Sequence, residues 1–328
     1  MGTGGIFAAL ADWWQRRRAA KQRVAALNDT LEALIDLAGL KVRTVSGYAK
    51  KLRPAMSTAM DYINDLVDAI PGPLEISPWA WNRDPVVNAL FVTQEELVPL
   101  FKLRGEAKAY FAKPRAEETF ALMTMDREDK TVFAAERQGA ILKRDIPRTS
   151  VTYKNHRLIA LGESEGETRA LIKMRALTVL AQVVQEEVEQ AKAREEELKY
   201  LENLYKVKLN SLGDWVDDEL IHDDIMHEKK SSITQMERSL AQVRTEMHQA
   251  RQAFRSNEAH LDALQRVMQN APEMLKARAA TTLLNEFSMI AKKNSYEKNH
   301  QITLAHITLG DERSREAVVV RFKRNDFS

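Results

Sequence analysis

Along the first seventy positions, apolar residues recur at alternating spacings of three and four. From Leu10 the ladder passes through Trp13, Arg17, Ala20, Val24, Leu27, Leu31, Leu34 and Ala38 and stops at Gly39. That is the rhythm of a helix with one packed face. A second ladder, Val45, Ala49, Leu52, Met56, Ala59, Ile63, Leu66 and Ile70, ends at the breaker Pro71, Gly72, Pro73. The short link between the two predicts an antiparallel helical hairpin over residues 1–70, with Pro54 kinking or splitting its second helix. Residues 71–117 predict a loop rich in proline, pinned by buried Trp79 and Trp81, and then a helix that Thr93 caps with Glu96 and that runs to about residue 112.

The period changes at residue 118. Short β-branched and aromatic runs alternate with turn-like stretches at 126–129, 137–139, 146–148 and 155–156, which predicts a five-stranded antiparallel meander over 118–162. Two further short runs, joined by GDERSR, predict a β-hairpin within 300–328, and the simplest topology pairs it with the meander in one small β-domain. Between these parts, residues 163–271 carry heptad ladders: Leu177, Val184, Ala191, Leu198 and Tyr205, then Met236, Leu240, Val243, Met247, Ala250, Phe254, Asn257, Leu261, Leu264 and Met268. Two arms around one break read as an antiparallel coiled-coil hairpin, each arm roughly 60 Å long at ~1.5 Å per residue. Asn257, polar on an apolar ladder, is the expected register-setting position. Residues 272–299 predict a connecting helix. The fold class expected is therefore α+β, mostly helical, with a long helical hairpin inserted between β segments. This order resembles the layout of periplasmic adaptor subunits of efflux and secretion systems; the resemblance is one of layout, carried by no residue motif.

Composition narrows the chemistry. With no cysteine among 328 residues, disulfides, thiolate zinc sites and cysteine nucleophiles are excluded, and a cytoplasmic protein is expected. No apolar run approaches the ~20 residues a membrane-spanning helix needs, and the run at 6–11 is too short to serve as an export signal. No glycine-rich phosphate loop or nucleophile elbow is present, and no cofactor is expected.

Net charge is only +2, but it is unevenly distributed. Residues 1–53 hold ten Lys/Arg against four Asp/Glu, 163–228 hold eight against seventeen, and 229–328 hold seventeen against eleven. The acidic pole peaks at DWVDDELIHDDIMHE, residues 214–228, with seven carboxylates and no lysine or arginine. Its apolar members Trp215, Leu220, Ile221, Ile225 and Met226, together with Asp224, read as a partner-binding tip on the hairpin, since apolar residues rimmed by charge mark interfaces. Glu219, His222, Asp223 and His227 fall on one helical arc and have donor types suited to iron, manganese or zinc, which makes a mononuclear metal site the competing reading. The only other Glu-x-x-His, Glu297 to His300, belongs at the opposite end of the arm. At the basic pole, Trp13, Trp14, Arg16, Arg17 and Arg18 suit contact with an anionic membrane surface or an anionic partner, and nucleic acid is the weakest of these partners. His156, His248, His260 and His306 have no carboxylate or nucleophile at a suggestive spacing and read as surface or core residues.

Together these features predict a non-enzymatic cytoplasmic adaptor or scaffold, working through protein contact at the tip and capable of homo-oligomerisation through the coiled coil. The alternatives are a metal-dependent carboxylate and histidine enzyme, or a peripheral membrane protein anchored by the N-terminal helix.

Overall fold

The computed structural model describes residues 24–97, 100, 109–110, 117–138, 141–214, 223–291, 298–310 and 313–323. It is a mixed fold of helices and antiparallel strands that divides into two compact units. One comprises residues 1–57 and 178–269, the other 58–177 and 270–328.

The first unit is helical. Residues 24–38 form helix α1, which ends where Gly39 takes φ +62 and donates its N–H to Asp36 O at 3.2 Å. Glycine, lacking a Cβ, reaches this left-handed geometry most readily, so the apolar ladder stops there. Helix α2, Tyr48–Asp68, is continuous through Pro54 and runs from this unit into the second, so the expected split is absent. The helix persists because Leu52, Ala55, Met56, Ala59 and Ile63 are all buried along one face, and that burial outweighs the lost hydrogen bond of one proline.

Three more helices follow after the β segments begin: α5, Glu165–Asp214; α6, Asp223–Arg255; and α7, Asn257–Gln269. The second ladder is broken at Ser256, whose Oγ accepts from Ala259 N at 3.0 Å and so caps α7. Asn257 is thus the first residue of a new helix. It does not sit within a continuous heptad, and its side-chain amide donates to Thr44 Oγ1 at 2.6 Å.

The second unit is built on a six-stranded sheet. The short strand β1, Leu74–Glu75, pairs parallel with the last strand. The others are β2, Glu118–Gln138; β3, Ile141–Gly162; β4, Leu275–Asn285; β5, Asn299–Leu309; and β6, Arg313–Lys323, in the order β3, β2, β6, β5, β4. The terminal hairpin therefore does pair with the earlier strands, through β2 and β6. The five-stranded meander, however, is two strands of 21 and 22 residues. Three of the four expected turns are passed without reversal. Register shifts occur between Thr124 and Asp126 and between Ala134 and Glu136, while Asp145 and Asn155 adopt φ 58 and 54. Asp and Asn tolerate that conformation, so residues that elsewhere make turns here make bulges in a continuing ladder.

Residues 275–285, expected within a connecting helix, form β4 instead, pairing in unbroken register from Leu275 opposite Leu309 to Asn285 opposite Asn299. Eleven cross-strand pairs override the weak local helix preference of KARAATTLL. Beyond β4 the chain bridges the outer strands. Ile290 N donates to Thr149 O and Val151 N to Ser288 O, each at 2.8 Å, while Ala291 N donates back to Leu283 O at 2.9 Å.

The segment from 71 to 93 contains two short helices, α3 Pro78–Arg83 and α4 Pro85–Leu90, capped by Ser77 and Asp84. Trp81 and Phe91 behave as the pinned aromatics: Trp81 Nε1 donates to Phe91 O at 3.0 Å, and Phe91 is fully buried. Trp79 does not. It is 62% exposed and lies under the Arg83 guanidinium at 4.6 Å. Thr93 precedes a 3-10 turn without capping it through its side chain; the Glu96 carboxylate accepts from Val92 N at 3.1 Å. Ile76, Leu90, Phe91, Met123, Val151, Leu304, Val318 and Phe322 share one core.

Candidate functional site

Helices α5 and α6 are joined side by side through their charged flanks. Arg194 pairs with Glu246 at 2.9 Å, Arg244 with Glu202 at 3.0 Å, and Arg251 with Glu195 at 2.7 Å, while Arg266 of α7 reaches Glu187 of α5 at 2.9 Å. From Glu187 with Arg266, through Glu195 with Arg251, to Glu202 with Arg244, the partners run in opposite directions along the chain, so the pairing is antiparallel. Between the ion pairs lies a narrow apolar seam of Leu198, Val243 and Met247, flanked by Leu201, Tyr205 and Ala250. Leu198, Tyr205, Val243, Met247 and Ala250 are positions of the heptad ladders, and Leu201 is an addition to them. Hydrogen bonds from Lys206 and then Arg244 hold the Glu202 carboxyl below its ordinary range, and Lys199 and Arg251 do the same for Glu195. On the outer surface of α5, Tyr200 and Val207, seven residues apart, are 68% and 63% exposed.

The residues expected to carry chemistry at the two poles fall largely outside the described residues. Trp13, Trp14, Arg16, Arg17 and Arg18 do, as do Trp215, Glu219, Leu220, Ile221 and His222. Asp223, Asp224, Ile225, Met226 and His227 belong to the first turns of α6, and only their helical backbone is described. Among the described residues no three His, Asp or Glu side chains come together as a metal ligand set. Nor is any described helix long and apolar enough to cross a membrane.

The sheet brings together residues that the sequence left apart. His306, read as solitary, lies directly opposite Glu316 on β6, with its Nδ1 3.0 Å from Glu316 Oε1. The carboxylate is buried, the residue being 6% exposed, whereas the His306 side chain is 45% exposed. The sequence alone did not show this pairing: the centre of GDERSR, residues 310–315, falls between positions 312 and 313, whereas the observed register sets Leu309 opposite Arg313 and so brings His306 to Glu316. On the neighbouring β2, Arg127 grips Asp129 with two bonds of 2.7 and 3.0 Å and reaches Thr282 of β4 at 3.3 Å. Opposite Arg127 stands Tyr153, whose burial pushes its phenol up to about 12. On the other face, Asp126 accepts from Asn155 at 2.7 Å and from Arg315 at 2.8 Å, and these bonds, the Asn155 one first, hold it below the usual carboxylate range.

A shallow groove of about 200 Å³ lies beside α3 and the end of β4, lined by Trp81, Arg83, Asn88, Asn285, Lys298 and His300. Its Asn285 side chain is occupied, accepting from Phe287 N and Met289 N at 3.0 and 2.9 Å. The groove's charged members are likewise committed: Asp84 caps α4, and Lys298 lies 3.9 Å from Glu286.

No family model, characterised protein or solved structure matches this chain.

Proposed function

We propose that the protein is a non-enzymatic adaptor or scaffold in which α5 and α6 form an antiparallel coiled-coil hairpin that presents the acidic, apolar segment 214–228 to a protein partner. The observation that carries this reading is the mode of pairing of the two helices. With a fourth ion pair from α7 to α5, a thin apolar seam and three flanking ion pairs join α5 and α6 into a helical pair. Such a pair contributes reach rather than a cavity: at ~1.5 Å per residue, residues 178–214 extend roughly 55 Å. Seven carboxylates among Trp215, Leu220, Ile221, Ile225 and Met226 supply what a docking end needs, apolar area for burial and charge for steering. The partner is accordingly a protein with a basic rim around an apolar patch, and the protein acts in the cytoplasm.

The test is quantitative co-purification of partners with three forms: the wild type, a Trp215→Ala/Ile221→Ser variant, and a Tyr200→Ser variant in the exposed surface of α5. Helical content is checked by circular dichroism for each form. Partners lost only from the first variant, with helicity intact, support the reading. An unchanged partner set and an unchanged state of assembly overturn it.

A further inference from the structure

We propose that Arg278 and His306, with Glu316 behind the imidazole, form a binding site for a phosphate-type oxyanion on one face of the sheet. The strand register makes the three residues direct neighbours on consecutive strands: Arg278 of β4 opposite His306 of β5, and His306 opposite Glu316 of β6. Side chains so paired stand on the same face with Cβ atoms about 5 Å apart. Glu316 is buried and engages His306 Nδ1, while the His306 side chain is 45% exposed, which leaves Nε2 for a ligand. The imidazole is thus held in one orientation with its second nitrogen unused.

Arg278 supplies the charge. Three other arginines of the sheet are committed to carboxylates: Arg127 to Asp129, Arg315 to Asp126 and Arg321 to Glu75. Arg278 pairs with no carboxylate among the described residues, and positions 278–281 are exposed, so a ligand can reach it. A guanidinium fork offers two parallel N–H donors, matching the edge of a phosphate or a carboxylate.

The imidazole distinguishes between these two ligands. With Nδ1–H given to Glu316, a neutral His306 presents a lone pair at Nε2 and a protonated one presents an N–H. A phosphate group near neutral pH carries both O–H and O⁻ and satisfies either state, whereas an ionised carboxylate, which is acceptor-only, satisfies only the protonated one. Inorganic phosphate and a phosphate monoester share this chemistry. The site is independent of the acidic segment 214–228, and its test does not involve the helical pair.

The experiment is a titration of the full chain with inorganic phosphate, glycerol phosphate and acetate, followed through the His306 ring resonances, with His306→Gln used for assignment. Saturable perturbation by phosphate with a Kd near ~1 mM is expected. Arg278→Gln weakens it at least about tenfold, the loss of a charge-assisted contact, and Lys154→Gln, on the opposite face of the sheet, leaves it unchanged. Binding of glycerol phosphate as tight as that of inorganic phosphate identifies a monoester site, and binding of inorganic phosphate alone identifies a free-anion site; either supports the proposal. It is overturned by acetate binding as well as phosphate, by Arg278→Gln binding undiminished, or by the absence of any saturable response.

Discussion

The decisive perturbation of the helical pair is Leu198→Ala. Leu198 is 1% exposed and is the most deeply buried member of a seam that otherwise holds Val243 and Met247, 8% and 9% exposed. Truncating a buried leucine removes its transfer free energy and leaves a cavity, at a cost of ~2–5 kcal/mol in globular cores. Here solvent reaches the edge of the seam and the flanking Leu201 and Tyr205 can relax into the gap, so the lower part of that range applies, about 2–3 kcal/mol. The ion pairs beside the seam are a different matter. Arg244 is 54% exposed and its partner Glu202 is also held by Lys206 at 2.8 Å, so Arg244→Gln leaves Glu202 with a cation. Exposed pairs of this type typically contribute less than ~1 kcal/mol.

Hydrogen exchange of the amides within 195–205 and 240–250 reports the local opening directly. For Leu198→Ala, protection should fall about 30- to 150-fold, the equivalent of 2–3 kcal/mol. For Arg244→Gln it should fall less than about fivefold, and raising the salt to about 0.5 M should change the wild type little. If Arg244→Gln matches or exceeds Leu198→Ala, the helices are held by charge. If Leu198→Ala changes nothing in the α6 amides, the pairing itself is wrong.

Three further outcomes can be checked. Gly72 has φ +126, and a Cβ there would run into the Val319 carbonyl oxygen of β6. Gly72→Ala should therefore destabilise the sheet unit by ~2 kcal/mol or more in thermal unfolding, and an unchanged midpoint refutes the close approach. His156 stacks on Phe91 with ring centroids 4.5 Å apart and its Nε2 buried, and burial holds its imidazole below the ordinary histidine range. The folded state thus binds fewer protons than the unfolded chain. Stability should fall as pH drops from the unfolded histidine pKa, ~6.5, toward the depressed folded value, and His156→Phe should flatten that part of a denaturant midpoint against pH curve. Elemental analysis of protein purified without an affinity tag should find no stoichiometric transition metal; finding one would favour Glu219, His222, Asp223 and His227 as its ligands.

Helix rhythm was legible where one face is buried along a long stretch. Gly39 as a stop, the buried stripe of α2 and the apolar positions of α5 and α6 follow from periodicity, because a helix satisfies its own backbone and needs only a partner face. The terminal β-hairpin and its pairing with β2 were legible for a similar reason: alternation over short runs beside a clear turn leaves few registers open.

What the sequence could not decide depends on partners distant in the chain. Residues 126–129, 146–148 and 155–156 have turn composition in isolation, yet the first two pair in regular register within the β2–β3 ladder and the third becomes a bulge in it, since neighbouring strands supply the hydrogen bonds a turn would forgo. KARAATTLL became strand β4 because β5 offers an eleven-residue register, and no local preference records that. The same cause governs the sites. Charge runs and donor spacings along one helix are visible in sequence, as in residues 214–228. Arg278, His306 and Glu316 meet only because three strands align side by side, and a contact made across strands is decided by register rather than by spacing along the chain.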